Sequence, residues 1–203
     1  PVLAPASPRD CFAMAFEAVR IAVEHMPPVF LLSDGYIANG AEPWRYPTAA
    51  QLSEIKAPLR KSLGDTPYKP YARDAKGVRE WVVPGLKGME HRIGGLEKED
   101  VTGNISYDPE NHQKMTKLRA EKIDRIADFI PEQEVDRGPD SGNLCILSWG
   151  STYGAVKTAV KEMNEAGQEV SHIHLRYMHP FPKNLKKLLA GFEKVIVPEL
   201  NNG

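Results

Sequence analysis

Apolar positions near the start of the chain recur at helical spacing. Cys11, Met14, Ala15, Ala18, Val19, Ala22 and Met26 fall on one face. Ser7-Pro8-Arg9-Asp10 ahead of them offers a capping serine, a first-turn proline and an early acid. A helix ending at Pro27-Pro28 is predicted. The run Pro28-Val29-Phe30-Leu31-Leu32 then reads as a short strand buried on both faces and closed by an Asp34-Gly35 turn. From about residue 36 to 108 the periodicity fades among prolines and glycines, with tracts such as Trp44-Arg45-Tyr46-Pro47. This is expected to be a long connector. A structureless stretch of that length is uncommon inside one compact domain, so it should lie against a neighbour or be partly disordered, and two domains are the better reading.

The pattern returns at Asp108-Pro109-Glu110, which opens a helix whose apolar stripe is Met115, Leu118, Ile123, Ile126 and Ile130, stopped by Pro131. Residues 132–143, acidic and glycine-containing, read as a linker. The last unit is the clearest. Leu144 to Trp149 predicts a buried strand, Gly150-Ser151-Thr152-Tyr153-Gly154 a tight turn, and Ala155 to Ala166 a helix closed by Gly167. A strand over Glu169 to Arg176, a short helix over Lys183 to Leu189 and a strand over Lys194 to Val197 complete a parallel βαβαβ pattern with right-handed crossovers. Three strands are few for such a sheet.

Composition narrows the class. The chain has 203 residues, 41% of them hydrophobic and 26% charged, enough for a core and too balanced for wholesale disorder. With 26 basic and 27 acidic residues it has no global positive field for nucleic acid or an anionic membrane surface, and neither partner is expected. No apolar run approaches the roughly 20 residues that cross a bilayer. Cys11 and Cys145 sit in apolar surroundings and suit a reducing cytoplasm. The opening Pro1-Val2-Leu3 and the ending in Asn201-Asn202-Gly203 read as cuts inside a longer protein, so a fragment is expected.

Candidate chemistry is sparse. The segment Gly150, Ser151, Thr152, Tyr153, Gly154 lies between a strand and a helix N-terminus, where free N–H groups can hold an anion, but it lacks the lysine of a P-loop and a complete G-x-G-x-x-G. A packed turn with Ser151 or Thr152 as helix cap is the plainer reading. His172 and His174 share one side of a strand, with His179 nearby, yet no carboxylate or cysteine accompanies them at zinc-ligand spacing. Ser148 and Ser151 lack the spacing of a nucleophile elbow. No catalytic residue and no metal site are expected. Trp44, Tyr46, Tyr68, Tyr71 and Trp81 concentrate aromatic surface in the connector, either to anchor it or to dock a partner subunit.

Six segments, in order, carry a resemblance: Pro1 to Phe12, Phe30 to Tyr36, Tyr107 to Met115, Leu147 to Ala155, His174 to Tyr177 and Val197 to Asn201. Together they resemble the alpha subunit of 2-oxoacid:ferredoxin oxidoreductases, the 2-oxoglutarate enzyme in particular. The resemblance implies oxidative decarboxylation of a 2-oxoacid on thiamine diphosphate with Mg, electron transfer through an iron–sulfur cluster to ferredoxin, and acyl transfer to coenzyme A. It also implies a hetero-oligomer in which a thiamine-binding beta subunit holds most of these cofactors and this piece holds none. The implied fold is α/β. Residues 1–36 would be the tail of a pyrimidine-binding-type domain, 37–142 a connector with one helix, and 143–203 the first part of a domain resembling the transketolase C-terminal domain. The family's Tyr-Pro-Ile-Thr-Pro motif has no match, and Tyr46-Pro47-Thr48 is only an echo of it. Pyruvate or branched-chain specificity, or a stand-alone nucleotide- or phosphate-binding module, are the alternatives. The piece alone should be colourless and free of iron, and should fold poorly or self-associate through uncovered edges.

Overall fold

In the computed structural model, which describes residues 1–201, the elements run β1 (Val2–Leu3), α1 (Asp10–His25), β2 (Phe30–Leu31), α2 (Gly35–Asn39), β3 (Leu59–Arg60), β4 (Trp81–Val82), α3 (Pro109–Arg125), β5 (Gly142–Trp149), α4 (Thr152–Glu165), β6 (Val170–Leu175), β7 (Tyr177–His179), α5 (Leu185–Leu189) and β8 (Phe192–Ile196). The loop expected at Asn202-Gly203 lies outside the described residues. The chain divides into two compact units. One comprises Pro1–Val19, Val29–Leu52 and the chain from Ala127 onward; the other comprises Arg20–Pro28 and Ser53–Ile126. They cut across the linear division 1–36, 37–142 and 143–203.

In the first unit, β5, β6 and β8 form a parallel sheet in the order β6-β5-β8. The chain steps from β5 to β6 and then returns past β5 to β8, so right-handed crossovers send the two helices to opposite faces. The packing follows. Leu144 and Ile146 of β5 join Val156, Val160 and Met163 of α4 on one face. Cys145 and Leu147, offset by one residue, join Ile173, Phe192 and the α5 leucines Leu188 and Leu189 on the other. The fold class is thus the α/β, parallel βαβαβ arrangement expected from the sequence, with strand and helix ends shifted by a few residues. One shift matters: α4 begins at Thr152, inside the segment read as a tight turn. Gly150, at φ +61, makes the whole reversal with Ser151.

A second sheet of this unit has the order β2-β1-β7. The strand around Phe30 is shorter than expected and not buried on both faces: it is the outer strand, and Phe30 is 62% exposed. Asp34-Gly35 is a helix start rather than a simple turn, because the Asp34 carboxylate accepts the Ile37 N–H at 3.0 Å and caps α2. Residues 132–143 are no free linker either. Arg137 bridges His172 on the edge of β6, and Ser171 donates to the Pro139 carbonyl at 2.7 Å, so this segment covers an edge that would otherwise stand open.

The second unit replaces the expected connector. Its buried side chains include Ile21, Val78, Met89, Met115 and Ile126. Within α1 the buried positions are Met14, Ile21 and His25, whereas Val19, placed on the apolar face by spacing, is 53% exposed. Regular structure outside α1 and α3 is limited to the parallel pair β3–β4 and two isolated bridges, Tyr71 with Val101 and Lys98 with Ile105. Side-chain bonds to the backbone take the place of a ladder. Asn111 accepts from the Asp100 N–H at 3.1 Å and donates to the Lys98 carbonyl at 3.0 Å, and the Trp81 indole donates to the Val23 carbonyl at 2.8 Å. Such tethers have no period, which is why the sequence pattern fades here.

Candidate functional site

The carboxyl end of β5 is where an open parallel sheet offers a crevice, because the crossovers diverge there. In this chain that end carries Gly150 and Ser151 and the start of α4. A cleft of about 1380 Å³ opens beside it, lined by Ser7, Arg9, Tyr36, Ser151, Tyr153 and Gly154 among others. Of the candidate segment, Ser151, Thr152, Tyr153 and Gly154 all face this cleft. Gly150 does not line it; a Cβ added there would lie 3.6 Å from the Asp34 carboxylate.

That carboxylate decides the character of the helix end. Asp34 Oδ2 accepts the Ser151 N–H at 3.2 Å while Oδ1 caps α2. Burial alone would raise the Asp34 carboxyl; the donors from Ile37 and Ser151 outweigh it and hold it below its ordinary value. The positive end of α4 is therefore already served by an internal anion, and an incoming phosphate would meet negative charge. Thr152 turns its hydroxyl back onto the Trp149 carbonyl at 2.6 Å. Sequence reasoning treats Asp34 only as a turn residue. The available signal was an aspartate directly before an α2-type helix start.

Behind the same helix end lies a buried polar trio. Ser148 Oγ is 2.7 Å from His172 Nε2 and 2.7 Å from His174 Nδ1, and all three side chains are fully buried. Alternation places the two histidines on one side of β6, as their spacing predicts, and the group between them is the serine hydroxyl of β5. The Tyr153 ring packs on His174 with centroids 4.7 Å apart. Burial, with the neighbouring His172 and Arg176, pulls His174 down to about 3, and burial lowers His172 as well, so both imidazoles are neutral. His179 is exposed on β7 and does not join them. Ser148 is thus a hydrogen-bonding hub in the core and not an exposed nucleophile.

The five aromatic candidates separate. Tyr68 packs against His91, Tyr71 lies under the Arg79 guanidinium at 4.5 Å, and Trp81 is tied to Val23, all within the second unit. In the first unit Trp44 stacks between Phe12 at 5.1 Å and Tyr46 at 4.8 Å, leaving Tyr46 85% exposed. Cofactor fit is limited. An iron–sulfur cluster needs about four thiolates, whereas the chain has two cysteines, of which Cys145 is buried with its thiol pushed up to about 11 by desolvation. Among the described residues no three metal-ligating side chains converge. No helix among the described residues is long and apolar enough to cross a membrane.

Similarity to known proteins spans the chain. Residues 143–203 match the family described as pyruvate:ferredoxin oxidoreductase core domain II. Over 203 residues the chain is 49% identical to the 2-oxoglutarate oxidoreductase subunit KorA of Mycobacterium tuberculosis, covering all of this chain and 30% of that protein. It is 30% identical over 201 residues to the 2-oxoglutarate synthase subunit KorA of Methanocaldococcus jannaschii, covering 99% of this chain and 52% of that one. A solved structure of 2-oxoglutarate:ferredoxin oxidoreductase from Magnetococcus marinus, with 2-oxoglutarate, coenzyme A and succinyl-CoA bound, superposes with a TM-score of 0.89 at 28% identity, over 98% of this chain and 35% of that chain. The chain therefore spans roughly a third to a half of the length of these relatives. Residues 1–108, more than half of the chain, match the pyruvate flavodoxin/ferredoxin oxidoreductase, thiamine diphosphate-binding family, and it is to this family that the chain belongs.

Proposed function

We propose that this chain is part of the alpha subunit of an enzyme that oxidatively decarboxylates 2-oxoglutarate to succinyl-CoA with ferredoxin as electron acceptor. The observation that carries the reading is the 49% identity, without a gap in coverage of this chain, to a 2-oxoglutarate oxidoreductase subunit. Its own part is scaffold and subunit interface. Thiamine diphosphate, Mg and the iron–sulfur cluster belong mainly to a beta subunit, and the working form is a cytoplasmic hetero-oligomer. The Phe12, Trp44 and Tyr46 stack, with Tyr36 79% exposed, supports the interface role, since aromatic side chains anchor interfaces at low entropic cost. So does β8, whose Val195 and Ile196 are exposed at the outer edge of its sheet. The stand-alone phosphate module is disfavoured by Asp34, which fills the α4 end that such a module would use.

The test is deletion of the gene, followed by assay of 2-oxoglutarate- and coenzyme A-dependent reduction of a viologen dye in extract. Loss of that activity, restored by the intact gene, and co-purification of a thiamine-binding subunit with the tagged protein are expected. Undiminished activity, or loss of pyruvate-dependent reduction instead, would overturn the assignment.

A further inference from the structure

The second unit contains a cavity of about 500 Å³ with a strong imbalance of charge. Arg73, Arg79, Lys98, Arg119 and Lys122 line it, against the single lining carboxylate of Glu97. Two of the cations are compensated. Arg73 is paired with Asp100, which Lys114 also meets, and Arg119 reaches Glu97 at 3.1 Å, where His112 also sits at 2.7 Å.

The other three have no acidic partner among the described residues. Lys98 is only 4% exposed, and its ammonium donates to the carbonyls of Gly94 at 3.0 Å and Leu96 at 2.6 Å. Lys122 donates to the Met26 carbonyl at 3.0 Å. Arg79 donates to the Pro70 carbonyl at 3.0 Å, touches the Met26 sulfur at 3.5 Å and lies over the Tyr71 ring. A buried charge met only by neutral carbonyls, as that of Lys98 is, is costly unless something anionic completes the site. Burial first, and then the nearby Arg79, Arg73 and Arg119, bring the Lys122 ammonium down to about 8. Backbone strain gathers at the same place. Met26, which lines the cavity, has φ +55, and Val101, beside Asp100 and bridged to Tyr71, has φ +69, a conformation β-branched residues avoid.

We infer that this cavity is a binding site for a small phosphate-bearing anion, held by Lys98, Lys122 and Arg79. Three uncompensated charges suit a polyvalent oxyanion better than a monocarboxylate, and the arginine supplies the planar fork that phosphate accepts. The volume lies within the range of ordinary small-molecule sites, and Met26, Leu96, Leu118 and the Tyr71 ring give an organic substituent an apolar wall. The inference stands apart from the enzymatic reading above, since it uses none of the residues or similarities that carry that reading.

The probe is inorganic diphosphate, added to the full-length protein in the assembly in which it purifies. Amine labelling of Lys122, followed by mass spectrometry, should slow at least about fivefold when diphosphate is present, while labelling of the exposed Lys161 stays constant, because an anion at the site both covers the amine and favours its charged form. Calorimetric affinity for diphosphate should fall roughly tenfold or more in Lys122→Met and in Arg79→Gln, the worth of one charge-assisted hydrogen bond. Unchanged labelling of Lys122 in the wild-type complex overturns the inference whether or not the variants assemble. So does an affinity indifferent to both substitutions, which would make the cations mere tethers for the Met26, Pro70 and Gly94 carbonyls.

Discussion

Replacing Ser148 by alanine isolates the buried polar trio from the rest of the sheet. The hydroxyl has one proton, so it donates to one imidazole nitrogen and accepts an N–H from the other, at 2.7 Å in each case. Alanine leaves one bare acceptor and one donor in a region where His172 and His174 are at most 1% exposed. Their outer nitrogens, His172 Nδ1 and His174 Nε2, make no hydrogen bond among the described residues, so each ring loses its side-chain partner altogether. An orphaned buried group costs about 1–3 kcal/mol, which gives about 2–5 kcal/mol for the pair. The effect is local and is best read by amide hydrogen exchange of β5 and β6 in the full-length subunit, where opening of this layer should become roughly 30-fold to a few thousand-fold more frequent. Acceleration under about threefold would mean that the rings find other partners or water at no cost, and the description of the trio as a dry hub would fail.

The same trio predicts acid sensitivity. His174 titrates near 3 in the fold against 6.5 when unfolded, so below 6.5 the unfolded chain binds the extra proton and stability falls as pH drops, by about 1.4 kcal/mol per unit from His174 alone, with His172 acting in the same direction. Exchange of β6 amides compared at pH 7.5 and 5.5, corrected for intrinsic rates, should reveal it; a flat profile would contradict neutral buried rings. Asp34→Ala removes the shared cap of α2 and α4 and should cost about 1–2 kcal/mol per helix end. Its signature would be faster proteolysis of the 35–42 segment, with resistance unchanged if water replaces the carboxylate. Thiol labelling should find Cys11 well before Cys145, whose thiol is both buried and raised to about 11; equal rates would show that β5 opens readily.

Much of the last unit was legible because its signals are local. Leu144 to Trp149 is an apolar run ended by glycine, Ala155 to Ala166 has helical period, and Gly167 closes it. Both crossovers follow from chain order and handedness alone. The sheet β2-β1-β7 was not legible, because two- and three-residue strands exist only through partners far along the chain: Val2 opposite Phe30, and Leu3 opposite Tyr177. The second unit hid for a related reason. Its order comes from Asn111, Trp81 and the Arg73–Asp100 pair, which carry no periodicity, and its cavity collects cations from positions 73 to 122 without a motif. At the α4 end, the glycine and hydroxyl residues were correctly placed at a strand-to-helix junction. What the sequence could not convey was that an aspartate 117 residues away in the chain already occupies it.

The shared proton of Ser148 couples the two rings more tightly than a packing contact would. If the hydroxyl donates to His172 Nε2, both imidazoles must carry hydrogen on Nδ1; if it donates to His174 Nδ1, both carry it on Nε2. The trio therefore has two neutral arrangements, and passing from one to the other requires a proton to leave at one outer nitrogen and another to be taken up at the other. One offers a donor at His172 Nδ1 and the other at His174 Nε2, and never both at once. A group that accepts a hydrogen bond at one end fixes the tautomer at the other, so β6 carries a two-position setting through the core with the same net charge in both positions.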